Sequence, residues 1–109
     1  MKKTQAAIYR QGDVLIREVS SKTVPTAARE VPREDGKVVL AHGEVTGHSH
    51  AIASKFAHMV AAGAQRFLTT ERPVVLKHEE HAEIHLPAGA YEVVIQREYE
   101  PSAIRNVED

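Results

Sequence analysis

Apolar and polar residues alternate over short runs along most of the chain. The clearest run is 90–99, where Tyr91, Val93, Ile95 and Tyr99 share one face at a period of two and mostly polar side chains occupy the other. Alternation of this kind is typical of a half-buried β-strand. Shorter runs of the same character cover 6–19, 38–40, 66–70, 74–77 and 84–87. The pattern predicts one all-β domain over 1–109, a small barrel or sandwich with at most one short helix.

Turn signals divide these runs. Gln11-Gly12-Asp13 breaks the first one and predicts a hairpin or a bulged strand. Residues 20–37 contain two prolines and mixed charge, and predict a surface excursion. Residues 55–63 fit either a helix or a strand followed by a turn. The segment 101–109 is expected to form a short helix.

The composition limits the functional classes. The chain has 109 residues and a net charge of −1, with 42% hydrophobic residues, so we expect one modest core and no general attraction to nucleic acid. No apolar run approaches the length of a membrane span, and the N-terminus does not resemble a signal peptide. We therefore expect a soluble, cytoplasmic protein without a membrane partner. Cysteine is absent, so any bound metal must use nitrogen and oxygen ligands.

Charge is distributed unevenly along the chain. Residues 1–78 carry twelve basic and seven acidic side chains, whereas 79–109 carry two basic and eight acidic ones. Either neighbouring strands neutralise one another, or the asymmetry serves a homo-oligomer or partner interface.

Seven histidines are the unusual feature of the composition, and four of them form two close pairs. His48 and His50 are two positions apart, so in an extended backbone both rings point to the same face. His78 and His81 flank Glu79-Glu80. If these glutamates form a two-residue turn, the two histidines close a hairpin with their Cβ atoms roughly 5 Å apart. On that register Val74, Leu76, Glu83 and His85 share the histidine face, whereas Val75, Ala82, Ile84 and Leu86 form the apolar face.

If the two pairs meet, they form a site of up to four imidazoles. Such a site suits Zn²⁺, Ni²⁺, Cu²⁺ or Fe²⁺ rather than Mg²⁺ or Ca²⁺. The alternatives are ordinary surface histidines or a metal-free acid and base pair. A carboxylate from Glu44, Glu79, Glu80 or Glu83 is expected to join the site or to orient its ligands. His85 is a fifth candidate ligand, and His42 and His58 are expected to be ordinary polar positions.

The chain resembles two groups of known proteins. The segments GEVTGHSHAI and HEEHAEIHLPAGAYEVVIQREYEP, with IYRQGDVLI and IRNVED at the ends, resemble a family of short, uncharacterised bacterial and phage-associated proteins. Gly43 with His48-Ser49-His50, and Pro87-Ala88-Gly89 on a later strand, are similar to the two motifs of cupins, small β-barrels that hold a metal on histidine and glutamate. No glutamate stands three or four residues after His50, and Glu92 takes the approximate place of the second-motif histidine, so only the fold class is implied.

The leading hypothesis is a small metal-binding β domain with His48, His50, His78 and His81 as ligands. Catalysis would require a coordination position that stays open to a small-molecule ligand, with Glu79 or Glu80 as the base. The rival hypothesis is a non-catalytic assembly module whose histidines are incidental. Arg97, on the otherwise apolar face of the last run, is expected to pair with a carboxylate or to bind an anion.

Overall fold

The structure, a computed structural model, describes residues 6–43 and 47–96. The described chain is all-β, and its only helical element is a single 3-10 turn at Ser21–Thr23. The all-β prediction is confirmed. The strands are β1 (Ile8–Gln11), β2 (Val14–Val19), β3 (Arg29–Glu30), β4 (Val38–His42), β5 (Ser49–Ile52), β6 (Ala57–Ala62), β7 (Gln65–Thr70), β8 (Val74–His78), β9 (His81–Leu86) and β10 (Gly89–Ile95).

The strands form two antiparallel sheets in a sandwich-like arrangement. One sheet has six strands in the order β1-β2-β10-β7-β6-β3, and the other has four in the order β4-β5-β8-β9. The inward-facing apolar residues of both sheets form one cluster, as expected where two half-apolar sheets stack. Fully buried members of this cluster include Ile16, Leu40, Ile52, Met59, Leu68, Leu76, Leu86 and Tyr91.

The first run folds as the predicted hairpin. Gln11 pairs with Val14, so Gly12 and Asp13 form a two-residue turn. Gly12 has φ +59°, whereas Asp13 is not among the residues with positive φ. This φ pattern is that of a type II′ turn, whose twist matches that of the flanking strands. The turn projects toward the four-stranded sheet, because β1 lies against β9.

The structure decides between the two alternatives for 55–63 and agrees with the expectation for 20–37. Residues 55–63 contain the strand β6 (Ala57–Ala62), which is followed by a turn at Gly63. Residues 20–37 form a mostly exposed excursion, as predicted, whose short strand β3 pairs with β6.

Several expectations lie outside the described residues, namely those for Glu44, Arg97, Tyr99 and the helix at 101–109. Within the described part of the chain, no helix has the length and apolar character needed to cross a membrane.

Candidate metal centre

The two histidine pairs meet at one end of the sandwich. The ring centres of His50 and His78 lie 4.3 Å apart, and those of His78 and His81 lie 4.7 Å apart. His48 contacts His78 edge-on, with ring centres separated by 5.7 Å. Two imidazoles bound to one tetrahedral ion through nitrogens at about 2.0–2.1 Å have ring centres roughly 5 Å apart. The three observed separations lie near this value, whereas the ring centres of His50 and His81 lie 6.0 Å apart. The four rings are therefore close neighbours, and in the described chain the ligand atoms that lie within 4.8 Å of one another are those of His48, His78 and Glu79.

The β8–β9 hairpin supplies two of the rings. His78 pairs directly with His81 across the turn formed by Glu79 and Glu80, as the sequence predicts. Neither glutamate has a positive φ, so the turn is not of type I′. The ladder instead contains a bulge between Leu76 and His78, which absorbs the mismatch between turn and strand twist.

That bulge makes the predicted division of faces wrong. It shifts the register by one residue, so that Leu76 pairs with Ile84 and Val74 with Leu86. All four of these side chains join the core cluster or pack against it. Val75 pairs with His85, which lies on the outer face. His85 is therefore on the face of the sheet opposite to the core.

Two glycines allow the backbone to approach these rings closely. A methyl group on Gly12 would lie 2.9 Å from His81 Nε2 and 3.3 Å from His50 Cε1. A methyl group on Gly43 would lie 3.0 Å from His48 Cβ and 3.1 Å from His78 Nε2. All four separations are shorter than ordinary van der Waals contact. The lack of a side chain at both positions is thus part of the geometry of the cluster.

Gln11 determines which nitrogen of His50 carries the proton. Both residues are 2% exposed, and Gln11 Oε1 lies 2.8 Å from His50 Nδ1. The Gln11 amide nitrogen donates to the carbonyl oxygens of Leu76 at 3.1 Å and Ala82 at 3.0 Å. Because those partners only accept, the amide orientation is set by the network, and Oε1 must accept from His50 Nδ1. A neutral His50 therefore has its lone pair on Nε2, the nitrogen that is not engaged by Gln11.

Asp13 brings a carboxylate to the same nitrogen. Its Oδ1 lies 3.7 Å from His50 Nε2, within range of an ion pair when the imidazole is protonated. Asp13 belongs to the tight turn of the β1–β2 hairpin, so the six-stranded sheet contributes an acidic group, in addition to Gln11, to a site whose histidines lie on or beside the four-stranded sheet.

Glu79 supplies a second carboxylate. Its Oε1 accepts a hydrogen bond of 3.0 Å from the backbone N–H of Ser49, and one potential ligand atom each from His48, His78 and Glu79 lie within 4.8 Å of one another. The hydrogen bond from Ser49, followed by smaller contributions from its own backbone N–H and the nearby imidazoles, lowers the pKa of Glu79. Glu79 is thus held in the charged form that binds cations.

His48 presents a buried nitrogen to this group. Its Nδ1 has no hydrogen-bond partner among the described residues. The carboxylate oxygen Oε2 of Glu80 lies 3.5 Å from it, in a contact whose geometry is not that of a hydrogen bond. A buried nitrogen without a hydrogen bond is costly unless a further partner satisfies it, and a metal ion is such a partner.

The other described histidines lie outside the cluster. His42, His58 and His85 each contact an acidic neighbour, respectively Glu34 at 3.0 Å, Glu30 at 3.3 Å and Glu83 at 3.4 Å. The expectation of ordinary polar positions for His42 and His58 agrees with these exposed ion pairs. Glu83 and His85 pair with each other and are not part of the group of rings.

Sequence reasoning missed Gln11 and Asp13 as site residues. Both were identified only as turn residues, because Gln-Gly-Asp is an ordinary hairpin signal. Asp13 immediately follows the glycine against which two histidines pack, but nothing local in the sequence brings that turn to His50.

The described domain corresponds to a recognised family. Residues 10–96 match the model of a family described as a domain of unknown function, DUF8820. The chain belongs to this family. The match includes the β1–β2 turn and all four clustered histidines, so the candidate site lies within the family domain. No curated protein and no solved structure matches the chain.

Proposed function

We propose that this protein is a metal-binding domain that holds one divalent transition-metal ion through His48, His50, His78 and His81. The observation that carries the proposal is the Gln11–His50 hydrogen bond beside three further rings. Outer partners of this kind orient metal-ligating histidines by engaging the nitrogen that does not bind the metal. Nitrogen donors with a nearby carboxylate favour Zn²⁺, Ni²⁺ or Fe²⁺.

The carboxylates give the centre a second role. Glu79 and Asp13 are positioned to complete the coordination or to accept a proton beside it. A metal ion bound here would supply Lewis acidity and lower the pKa of a bound water. If only three of the histidines coordinate the ion, the fourth coordination position can take a water or a small molecule, which suits hydrolytic chemistry or ligand binding. Glu79 is then the residue best placed to act as base.

Metal content tests the proposal directly. The protein is expressed with added zinc and nickel, dialysed, and examined by elemental analysis and by calorimetric titration of the metal-free form. We expect about one ion per chain and an increase in melting temperature when metal is added, because a ligand that binds the native state stabilises it. Less than about 0.2 ions per chain together with no thermal shift would reject the metal centre.

Histidine variants locate the ion. We expect His81→Ala to reduce metal affinity strongly, and His85→Ala, on the same strand but outside the cluster, to leave it unchanged. The double variant His48→Ala with His78→Ala should lose both metal and the metal-dependent stability. Unchanged melting and oligomeric state in that double variant, with no metal in the parent protein, would instead favour the assembly module.

A further inference from the structure

A cleft on the outer face of the four-stranded sheet lies directly beside the proposed metal centre. It has a volume of about 310 Å³, which lies at the lower end of the range of small-molecule sites. Its lining includes His78 and Glu79 from the proposed centre. It also includes two lysines and three small residues that lie in β5 or directly after it. The lining residues are Lys37, Ser49, Ala51, Ala53, Lys77, His78 and Glu79.

The sheet geometry explains the shape of this cleft. Ala51 pairs with Val39 on one side and with Lys77 on the other, and directly paired residues place their side chains on the same face. Ser49, Ala51 and Ala53 follow one another at alternate positions, so short side chains line the floor. Lys37, just before β4, and Lys77, near the end of β8, are the long side chains at its sides.

Both lysines are available to a ligand. No described carboxylate lies within ion-pairing distance of Lys37 or Lys77, whereas the neighbouring cations have partners. Arg33 donates to the carbonyl oxygens of Gly36 and Ala57, and Lys55 lies over the ring of Phe56. The cleft therefore concentrates two uncompensated positive charges, opposed within its lining only by Glu79. The two lysines and one glutamate leave the lining with a net positive charge, which raises the local concentration of anions.

We propose that this cleft binds a small anionic molecule, with a carboxylate or phosphate group held between Lys37 and Lys77. As the ligand site of a metal centre it rests on the proposed function, but its anion binding is a property of the metal-free sheet. The volume suits a small molecule, and His78 and Glu79 at the cleft wall bring the bound molecule next to the metal ligands.

The test uses the full chain after removal of metal with EDTA. The ¹⁵N-labelled protein is titrated with inorganic phosphate, and separately with benzoate, at constant ionic strength. We expect saturable shifts of the amide signals of Ser49, Ala51 and Lys77 with at least one probe. Binding of phosphate alone, of benzoate alone or of both supports the cleft and defines which anionic group it accepts.

Charge-matched variants separate the cleft from general attraction. The double variant Lys37→Ala with Lys77→Ala should reduce the affinity for the probe by at least about tenfold, equivalent to about 1.4 kcal/mol of binding free energy. Lys22→Ala with Arg29→Ala removes the same charge from exposed positions outside the cleft and should leave the affinity unchanged. Shifts that do not saturate, equal weakening in both double variants, or binding that requires added zinc would overturn the proposal.

Zinc titration of the parent protein is a separate measurement that tells the two proposals apart. Saturable anion binding without zinc binding rejects the metal centre and retains the cleft. Zinc binding without anion binding to the metal-free protein rejects the cleft and retains the metal centre.

Discussion

At the scale of single residues, the site depends on groups that do not themselves form the histidine cluster. Gln11 is buried and makes three hydrogen bonds, two to backbone carbonyls and one to His50. The backbone at Gly12 lies so close to His81 that a side chain at this position would clash with the ring. Substitution of Gln11 leaves buried polar groups without a hydrogen bond. Substitution of Gly12 displaces a histidine ring.

Gln11→Ala is expected to reduce both stability and metal affinity. It leaves two carbonyls and His50 Nδ1 without their partner, which costs about 1–3 kcal/mol in unfolding free energy, and it releases the orientation of His50, which costs about 10–100-fold in metal affinity. Chemical denaturation and calorimetric metal titration measure the two effects.

Thr70→Ala is the control for this prediction. Thr70 is also buried, and its hydroxyl donates to the Arg72 carbonyl rather than to a clustered histidine. We expect it to lower stability while metal affinity stays at the parent value. An equal loss of affinity in both variants would show that Gln11 acts only through general stability.

Gly12→Ala is expected to differ from Gly63→Ala in metal binding. The two glycines have nearly the same φ, +59° and +62°, so alanine costs each about 1–2 kcal/mol of backbone strain. A methyl group at Gly63 meets nothing within 4 Å, whereas one at Gly12 displaces the ring of His81. Metal affinity should therefore fall by about tenfold or more only in Gly12→Ala. Equal affinities in the two variants would contradict the close approach.

At the scale of elements, the hairpin β8–β9 shows how a turn and a bulge act together. A negative-φ turn between two strands tends to splay them, and the extra residue at the bulge restores the pairing of the apolar positions. The bulge therefore allows His78 and His81 to face one another while Leu76 and Leu86 stay in the core.

Strand β10 contains the residue, Tyr91, that is expected to make stability depend on pH. Tyr91 is 1% exposed, and its hydroxyl donates to the carbonyl of Pro87, at the turn that joins the two sheets. Burial raises the pKa of Tyr91 to about 12 from 10.0. Because the folded pKa is raised, its stabilising contribution is complete below pH 10.0 and is lost as the pH rises toward about 12.

We therefore expect the unfolding free energy of the parent protein to decrease between these two pH values more steeply than that of Tyr91→Phe. Phenylalanine fills the same volume but has no proton to lose. Denaturant titrations across this range measure the difference, and tyrosinate absorbance follows the ionisation. Parallel pH profiles for the two proteins would show that Tyr91 does not carry this dependence.

At the scale of the whole molecule, the candidate site joins the two sheets. Gly12 and Asp13 form the turn between two strands of the six-stranded sheet, whereas His50, His78 and His81 belong to the four-stranded one. An ion held between them would restrict separation of the sheets at the edge where β1 lies against β9.

Metal addition is therefore expected to slow amide hydrogen exchange in both the β1–β2 and the β8–β9 turns. The physical reason is that local opening of either turn must release the ion. Hydrogen exchange monitored by mass spectrometry with and without zinc measures this, and the β6–β7 turn at Gly63 serves as an internal reference. Protection confined to β8–β9 would show that the first hairpin does not take part.

The local features of this protein were determined by its sequence alone. Alternation identified most of the strands, although it did not predict β3 or β5 and left β6 open. Gly12-Asp13 placed the first turn, and the spacing of His78 and His81 predicted that they face each other, because each of these depends on a few neighbouring residues. Only the tertiary structure decided the bulge after Leu76, the approach of the first turn to the histidines, and the role of Gln11. These depend on how two sheets stack, and contacts between residues far apart in the chain leave no periodic signal in it.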